Sequence, residues 1–216
     1  METRLYPDGK AVRYEISTHI EEKKIINAKG KLLYESSQSY LQSQDINMIK
    51  NRCLNVMDGS ECYSLFQQAG FTYGSTFQSI QRIYSNSQEA LSHLELPSQC
   101  IENFDEFVLH PSLMDGAFQT LLGLVNSNGS DSAELYVPFS IKEIEIKDSL
   151  KEKCYVYVTL IENKKNSKTF NLQVMDEEGK VLVVIKQLSL RALQIHTNNS
   201  SMKEITKEIH SSKNKN

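Results

Sequence analysis

Two side chains call for a chemical reading first. Asp115 and Gln119 stand four residues apart in LHPSLMDGAFQTLLGL (residues 109–124), a stretch with a proline near its start and apolar residues almost all round. The pattern predicts a helix from Pro111 to about Asn126, and residues i and i+4 share one helix face. An ionised carboxylate among apolar neighbours is costly unless paired, and burial raises its pKa. A carboxyl group that keeps its proton near neutral pH can act as a general acid. Gln119 would hold that carboxyl, or a substrate hydroxyl, in a fixed orientation. A second reading of Asp115 stands beside this one. It falls about one turn after Pro111, where a carboxylate can satisfy free backbone N–H groups and the helix dipole. The helix alone leaves both open.

The flanking segments read mostly as strand. Residues 12–17 and 24–34 are rich in Val, Ile and Tyr, and are expected as two strands of a sheet edge. Residues 36–44 are a polar connector, followed by a short helix from Asp45 to Cys53. A second helix runs from Ser60 to a glycine cap at Gly70. Residues 76–85 and 89–96 pair as strands across the turn SNSQ. In the last third, Ile144 and Ile146 alternate with charged residues, and Phe170, Leu172 and Val174 with amides. With YVYV (155–158) and VLVVIKQLSLRAL (181–193), these form an antiparallel meander. SNGSDS is a loop, and 196–216 is a polar tail or linker with one marginal amphipathic turn at Met202, Ile205 and Ile209. One apolar helix covered on most sides by a curved antiparallel sheet is the α+β solution called a hotdog fold.

Bulk properties exclude several function classes. The chain has 216 residues, 39% hydrophobic and 24% charged, with a net charge of −3. It has no basic footprint for nucleic acid. It has no apolar run near the roughly 20 residues that span a bilayer, and no signal-peptide core at its polar start. A cytoplasmic protein is expected. Cys53, Cys62, Cys100 and Cys154 show no CxxC pairing and are expected to be reduced and structural. The five histidines are too scattered to suggest a metal cluster.

Four segments together resemble a known family. HPSLMDGAFQ is similar to the HPxLxDxxxQ signature of the dehydratase domains of modular polyketide synthases and animal-type fatty acid synthases. GFTYGSTFQSI (70–80) resembles that family's GYxYGPxFQ motif, and LYVPFSIKEIEI (135–146) its LPFxxxxVxI strand. INAKGKLLY (26–34) resembles the strand that closes the first hotdog of the family's double hotdog. They occur in the family's order and at about its spacing.

The resemblance implies an arrangement and a chemistry. Residues 1–36 would be the last strands of an N-terminal hotdog, 37–58 a connector, 59–195 a complete C-terminal hotdog, and 196–216 the tail. The family removes water from a 3-hydroxyacyl chain held on the phosphopantetheine arm of an acyl carrier protein, leaving an α,β-enoyl thioester. By position Asp115 would be the proton donor and Gln119 its partner. Tyr73 and Gly74 of the YGSTF loop, His110 at the helix start, and Pro138 and Phe139 would lie around the substrate. Tyr73 reads equally well as a packing aromatic, and His110 as a structural residue rather than a base. The elimination needs no metal or redox cofactor. The implied partners are the carrier protein, other synthase domains and a second copy in a homodimer, with neither nucleic acid nor membrane. Two departures stand out. Ser75 replaces the usual proline, and the HxxxGxxxxP motif that carries the family's base is absent from the 216 residues. The expectation is a piece of a longer synthase that holds the acid half of the pair. The alternative is an inactive dehydratase-like module that serves structure or carrier docking. A double-bond isomerase of the same fold is disfavoured, because such relatives typically replace the helix aspartate.

Overall fold

Alternating inward and outward residues shape most of the chain. The structure is a computed structural model and describes residues 1–20, 23–34, 43–125, 136–164 and 166–192. It divides into two compact units, Met1–Tyr40 and Leu41–Asn216. The SNGSDS loop, the tail with its amphipathic turn and residues 36–42 of the polar connector lie outside the described residues.

The first unit is a three-stranded antiparallel sheet in the order β1 (Glu2–Asp8), β2 (Ala11–Ile20), β3 (Lys23–Leu33). Strand β1 is an addition to the sequence reading, because Pro7 and four charged or polar residues hide its period. Gly9, at φ +64°, makes the turn into β2. Gly30 pairs with Tyr14 across β2 and β3, and the tyrosine ring fills the space a Cβ would take, 2.7 Å away.

The second unit holds α1 (Ile46–Arg52), β4 (Asn55–Asp58), α2 (Gly59–Gln68), β5 (Ile80–Ser85), β6 (Glu89–Glu95), α3 (Pro111–Gln119), α4 (Leu122–Val125), β7 (Tyr136–Ser140), β8 (Glu143–Ile146), β9 (Lys153–Lys164), β10 (Ser167–Met175) and β11 (Val181–Ala192). Its sheet has the order β4-β5-β6-β9-β10-β11-β7, with β8 also on β11. The expected β9-β10-β11 meander is present. Side chains set its turns. Asn86 Oδ1 accepts the Gln88 and Glu89 N–H groups between β5 and β6, and Asp176 Oδ1 accepts those of Glu178 and Lys180 before β11.

The sheet buries both faces. Ala90 and Leu94 of β6, Val156 and Val158 of β9, and Phe170, Leu172 and Val174 of β10 pack with Leu113, Ala117, Leu121 and Leu124 from the helical segment. Full burial of each leucine is worth about 1.5–3 kcal/mol. On the opposite face Leu91, Met175, Val181 and Val184 meet Ile49 and Cys53 of α1, and an Arg52–Glu89 ion pair of 2.6 Å fastens that helix to β6.

Three elements differ from expectation. The long helix is two segments, α3 and α4. Buried Thr120 turns its hydroxyl back to the Gly116 carbonyl (2.9 Å) and onto Ser92 Oγ (2.6 Å). The following amides bond three residues back, Gly123 to Thr120 and Leu124 to Leu121, a tighter winding than α. The strand expected from residue 76 begins at Ile80, because Ser75–Phe77 form a 3₁₀ turn. The segment 135–146 is two strands, both on β11.

Glycine lets α3 lie close to the sheet. A Cβ at Gly116 would stand 2.2 Å from Ser79 Oγ and 3.1 Å from Leu94 Cδ1. Ser79 Oγ donates to the Ser112 carbonyl at 3.2 Å, so it cannot yield without losing that bond. Overpacking of this kind costs about 1–3 kcal/mol, against about 1 kcal/mol gained in helix propensity. Gly116→Ala is therefore expected to lose stability on the order of 1 kcal/mol, read as a lower urea midpoint at unchanged m.

Candidate active site

The site grows from the start of α3. His110 is its N-cap, and its Nδ1 accepts the Ser112 N–H at 3.3 Å. Phe104 and Phe107 flank the imidazole, and burial pushes its pKa down. A neutral ring whose Nδ1 lone pair is occupied suits a cap, which is the structural role read from the sequence. Pro111 takes the first helical position, where a missing N–H costs nothing.

One turn on, Asp115 is half-buried and Gln119 only 4% exposed. Gln119 Nε2 donates to Asp115 Oδ2 at 2.7 Å and to the Phe77 carbonyl at 3.0 Å. Burial raises the Asp115 pKa above the ordinary carboxylate range, and the Gln119 hydrogen bond pulls it partly back. Among the described residues no cation is paired with Asp115. Its proximity to the helix start does not make it a cap, since His110 holds that place.

The loop after α2 supplies the opposite wall. Gly70, at φ +90°, ends α2 as expected, with Phe71 N–H bonded to the Phe66 carbonyl at 2.8 Å, a Schellman closure. That turn returns the chain so that Tyr73 packs edge-on to Phe66 (5.0 Å between centroids) and Tyr63 (6.1 Å). Gln78 fixes the loop by donating to the Tyr73 carbonyl at 2.8 Å. Burial first, and then the Asp115 charge, push the Tyr73 hydroxyl up to about 12. Tyr63 and Tyr73 both border a cavity of about 760 Å³ that continues past Ser60, Ser64, Gln67 and Gln81 to the Asp58–Arg82 ion pair.

The structure thus joins Asp115 and Gln119 directly and links Tyr73 to them through Tyr63, with His110 at the start of the same helix. Gly74 leads into the 3₁₀ turn, with open space around its Cα. Pro138 and Phe139 lie on β7. Pro138 pairs with Leu190, and Phe139, 57% exposed, lies under the Arg191 guanidinium at 3.3 Å. Neither lines the cavity, and neither do Asp115 and Gln119 themselves, which reach it only through Tyr63. The sequence reading missed Tyr63. Its hydroxyl lies 3.0 Å from Gln119 Oε1 and accepts the Ile80 N–H at 2.9 Å. The available signal was a tyrosine in an otherwise packing-type helix, since a buried phenol needs a polar partner. Burial pushes the thiols of Cys53 and Cys154 up to about 11 and that of Cys62 to about 12, which leaves them protonated and unreactive.

Comparison with known proteins gives this geometry a family. Residues 42–199 match the polyketide synthase dehydratase N-terminal domain, and the chain belongs to the polyketide synthase dehydratase family. It is 36% identical over 152 residues to polyketide synthase PksN of Bacillus subtilis (strain 168), covering 70% of this chain and 3% of that protein. To polyketide synthase PksM of the same organism it is 30% identical over 187 residues, covering 83% and 4%. The chain thus spans only a few hundredths of the length of these relatives. A trans-AT synthase dehydratase domain from Brevibacillus brevis superposes with a TM-score of 0.81 at 26% identity, covering 88% of this chain and 68% of that one. The dehydratase domain from the CurF module of curacin synthase gives 0.79 at 20% identity, over 89% and 68%, and shows the shared hotdog fold. No helix among the described residues is long and apolar enough to cross a membrane.

A raised carboxyl pKa has a stability consequence of definite sign. The folded state binds the Asp115 proton more tightly than the unfolded chain, so the wild type gains stability as pH falls through the folded midpoint towards the unfolded one. Above that window the carboxylate is a net cost. Asp115→Asn is expected to raise the urea midpoint at neutral pH, and the advantage should shrink steadily as the solution is acidified through the window.

Proposed function

We propose that this chain supplies the acid half of a dehydratase site, with Asp115 as the proton donor that turns the 3-hydroxyl of an acyl thioester into departing water. The substrate arrives on the phosphopantetheine arm of an acyl carrier protein, and the chain works among other polyketide synthase domains. The observation that carries this reading is the half-buried Asp115 carboxyl, held at one oxygen by Gln119 and shifted towards its protonated form by burial.

The elimination balances as follows. A base takes the proton from the carbon beside the thioester, the electron pair becomes the new C=C bond, and the C–O bond at the 3-position breaks. Asp115 gives its proton to the leaving oxygen and is left as a carboxylate. Burial favours the acid before the step, and the Nε2–H of Gln119 stabilises the carboxylate after it. With Oδ2 held by Gln119, the proton is carried on Oδ1 and aimed away from the glutamine. Acid and base suffice for this chemistry without a redox cofactor.

The base is assigned outside these 216 residues. None of the five histidines stands in an HxxxGxxxxP motif; of the two in the second unit's described residues, His110 is engaged as a cap, and His93 stacks on Tyr155, whose ring packs on the sheet face that meets α1. Neither can meet a substrate presented to Asp115.

The test is loss of water from a 3-hydroxyacyl carrier-protein substrate, followed by mass spectrometry. It compares this chain, the chain joined to the HxxxGxxxxP-bearing segment of its synthase, and that longer form with Asp115→Asn. Activity is expected only in the longer form and should fall by about 10²–10⁴-fold on the substitution. A folded longer form with no activity would favour a module kept for structure or carrier docking. Full activity with asparagine would remove Asp115 from the chemistry.

A further inference from the structure

We infer that Tyr63 is the positioning residue of the acid. Its hydroxyl, together with the Phe77 carbonyl, fixes which end of the Gln119 amide faces Asp115, through a one-way hydrogen-bond chain from the Ile80 backbone.

The direction of that chain follows from valence. The Ile80 N–H can only donate, and it donates to the Tyr63 oxygen at 2.9 Å. The phenol proton must then leave on the other side, where Gln119 Oε1 stands at 3.0 Å and the Phe77 carbonyl at 3.4 Å. The shorter and better partner is Gln119. With Oε1 accepting, Nε2 faces Asp115 Oδ2 and the Phe77 carbonyl, both of which are acceptors. Rotating the amide by half a turn would set Oε1 against those two oxygens and Nε2 against a phenol oxygen that already accepts. Every group is satisfied in one orientation and three contacts fail in the other. Deep burial of Gln119 makes such failures expensive, because water is not there to repair them.

The Phe77 carbonyl, which can only accept, asks for Nε2 on its side, and Tyr63, whose own acceptor side is taken by Ile80, asks for Oε1 on the other. Asp115 accepts an N–H as a carboxylate and could donate to a carbonyl when protonated, so it does not by itself select an orientation. Tyr63 is the side chain that supplies the donor on the Oε1 side. The tyrosine is held for this by α2, whose Gly59 start packs so tightly on β5 that a Cβ there would meet the Ile80 carbonyl at 2.1 Å. Helix α2 therefore registers against the residue that orients the phenol.

The inference rests on the reading of Asp115 as the acid, but its test does not. The titratable groups facing Asp115 are Tyr63 on α2 and Tyr73 on the loop, and neither ionises in the acid range. The Asp115 carboxyl midpoint can thus be followed by ¹³C NMR in the intact 216-residue chain and in folded Tyr63→Phe, Gln119→Met and double variants. Loss of the Gln119 donor removes an interaction that lowers the midpoint. Gln119→Met should raise it, Tyr63→Phe should raise it in the same direction, and the double variant should add nothing further. No shift in folded Tyr63→Phe, or full additivity, would overturn the inference. Should Tyr63→Phe fail to fold, 3-fluorotyrosine at position 63 serves instead. A more acidic phenol polarises the amide and strengthens its N–H, so the midpoint should fall, and an unchanged or higher midpoint counts against the inference. The outcome is independent of turnover. An active Asp115→Asn enzyme would sink the acid assignment and leave this hydrogen-bond chain standing.

Discussion

The side-chain amide of Gln119 is the contact on which the site depends. It is buried, has two donors and an acceptor, and meets three groups within 3.0 Å: Asp115 on its own helix α3, Phe77 in the 3₁₀ turn and Tyr63 on α2, whose hydroxyl in turn accepts from Ile80 of β5. A buried amide tolerates few arrangements of its neighbours. The loop after α2, the start of β5 and the face of α3 are therefore placed to within hydrogen-bond tolerance of one another by a group that does no chemistry itself.

The same contact resolves a conflict in the acid. Burial alone would favour a protonated carboxyl that resists giving up its proton, whereas full hydrogen bonding would favour a carboxylate with no proton to give. Asp115 has one oxygen held by Gln119 and is otherwise desolvated, so the two effects oppose each other, with desolvation the larger. Aromatic side chains surround the tyrosine that holds Gln119. Phe66 and Tyr73 pack against Tyr63, and Phe71 packs edge-on to Phe66 and stacks on Tyr73, so this side of the site is aromatic and adds no charge. The small residues of α3 then let the helix sit deep against β5 and β6, where Gly116 admits Ser79 and Leu94.

Much of this was legible in the sequence because it follows local periodicity. The i, i+4 spacing of Asp115 and Gln119, the glycine cap at Gly70, the SNSQ turn and the alternation in β9 to β11 are each properties of a few neighbouring residues, and the family motifs repeat them. The features that escaped depend on distant partners. Thr120 reads as an ordinary helical residue until Ser92 is brought beside it. The split between β7 and β8 depends on how β11 bends, where Gln187 takes a φ of +51° and its N–H is held by Asn171 Oδ1. Short strands such as β4 carry too few residues to show a period. Tyr63 belongs to a helix whose other aromatic, Phe66, packs without a polar partner, and only the fold shows that its hydroxyl meets Gln119.

The central claim is that a correctly directed Gln119 N–H reports directly on the ionisation of a buried acid. The most direct measurement is the ¹⁵N–¹H spectrum of the Gln119 side-chain amide across the acid range. The structure predicts two distinct, slowly exchanging Nε2 protons. One of them should shift strongly with a single midpoint above the ordinary carboxylate range, as Asp115 Oδ2 gains and loses its charge. An averaged pair of protons, or a pair that stays still while Asp115 titrates, would contradict it.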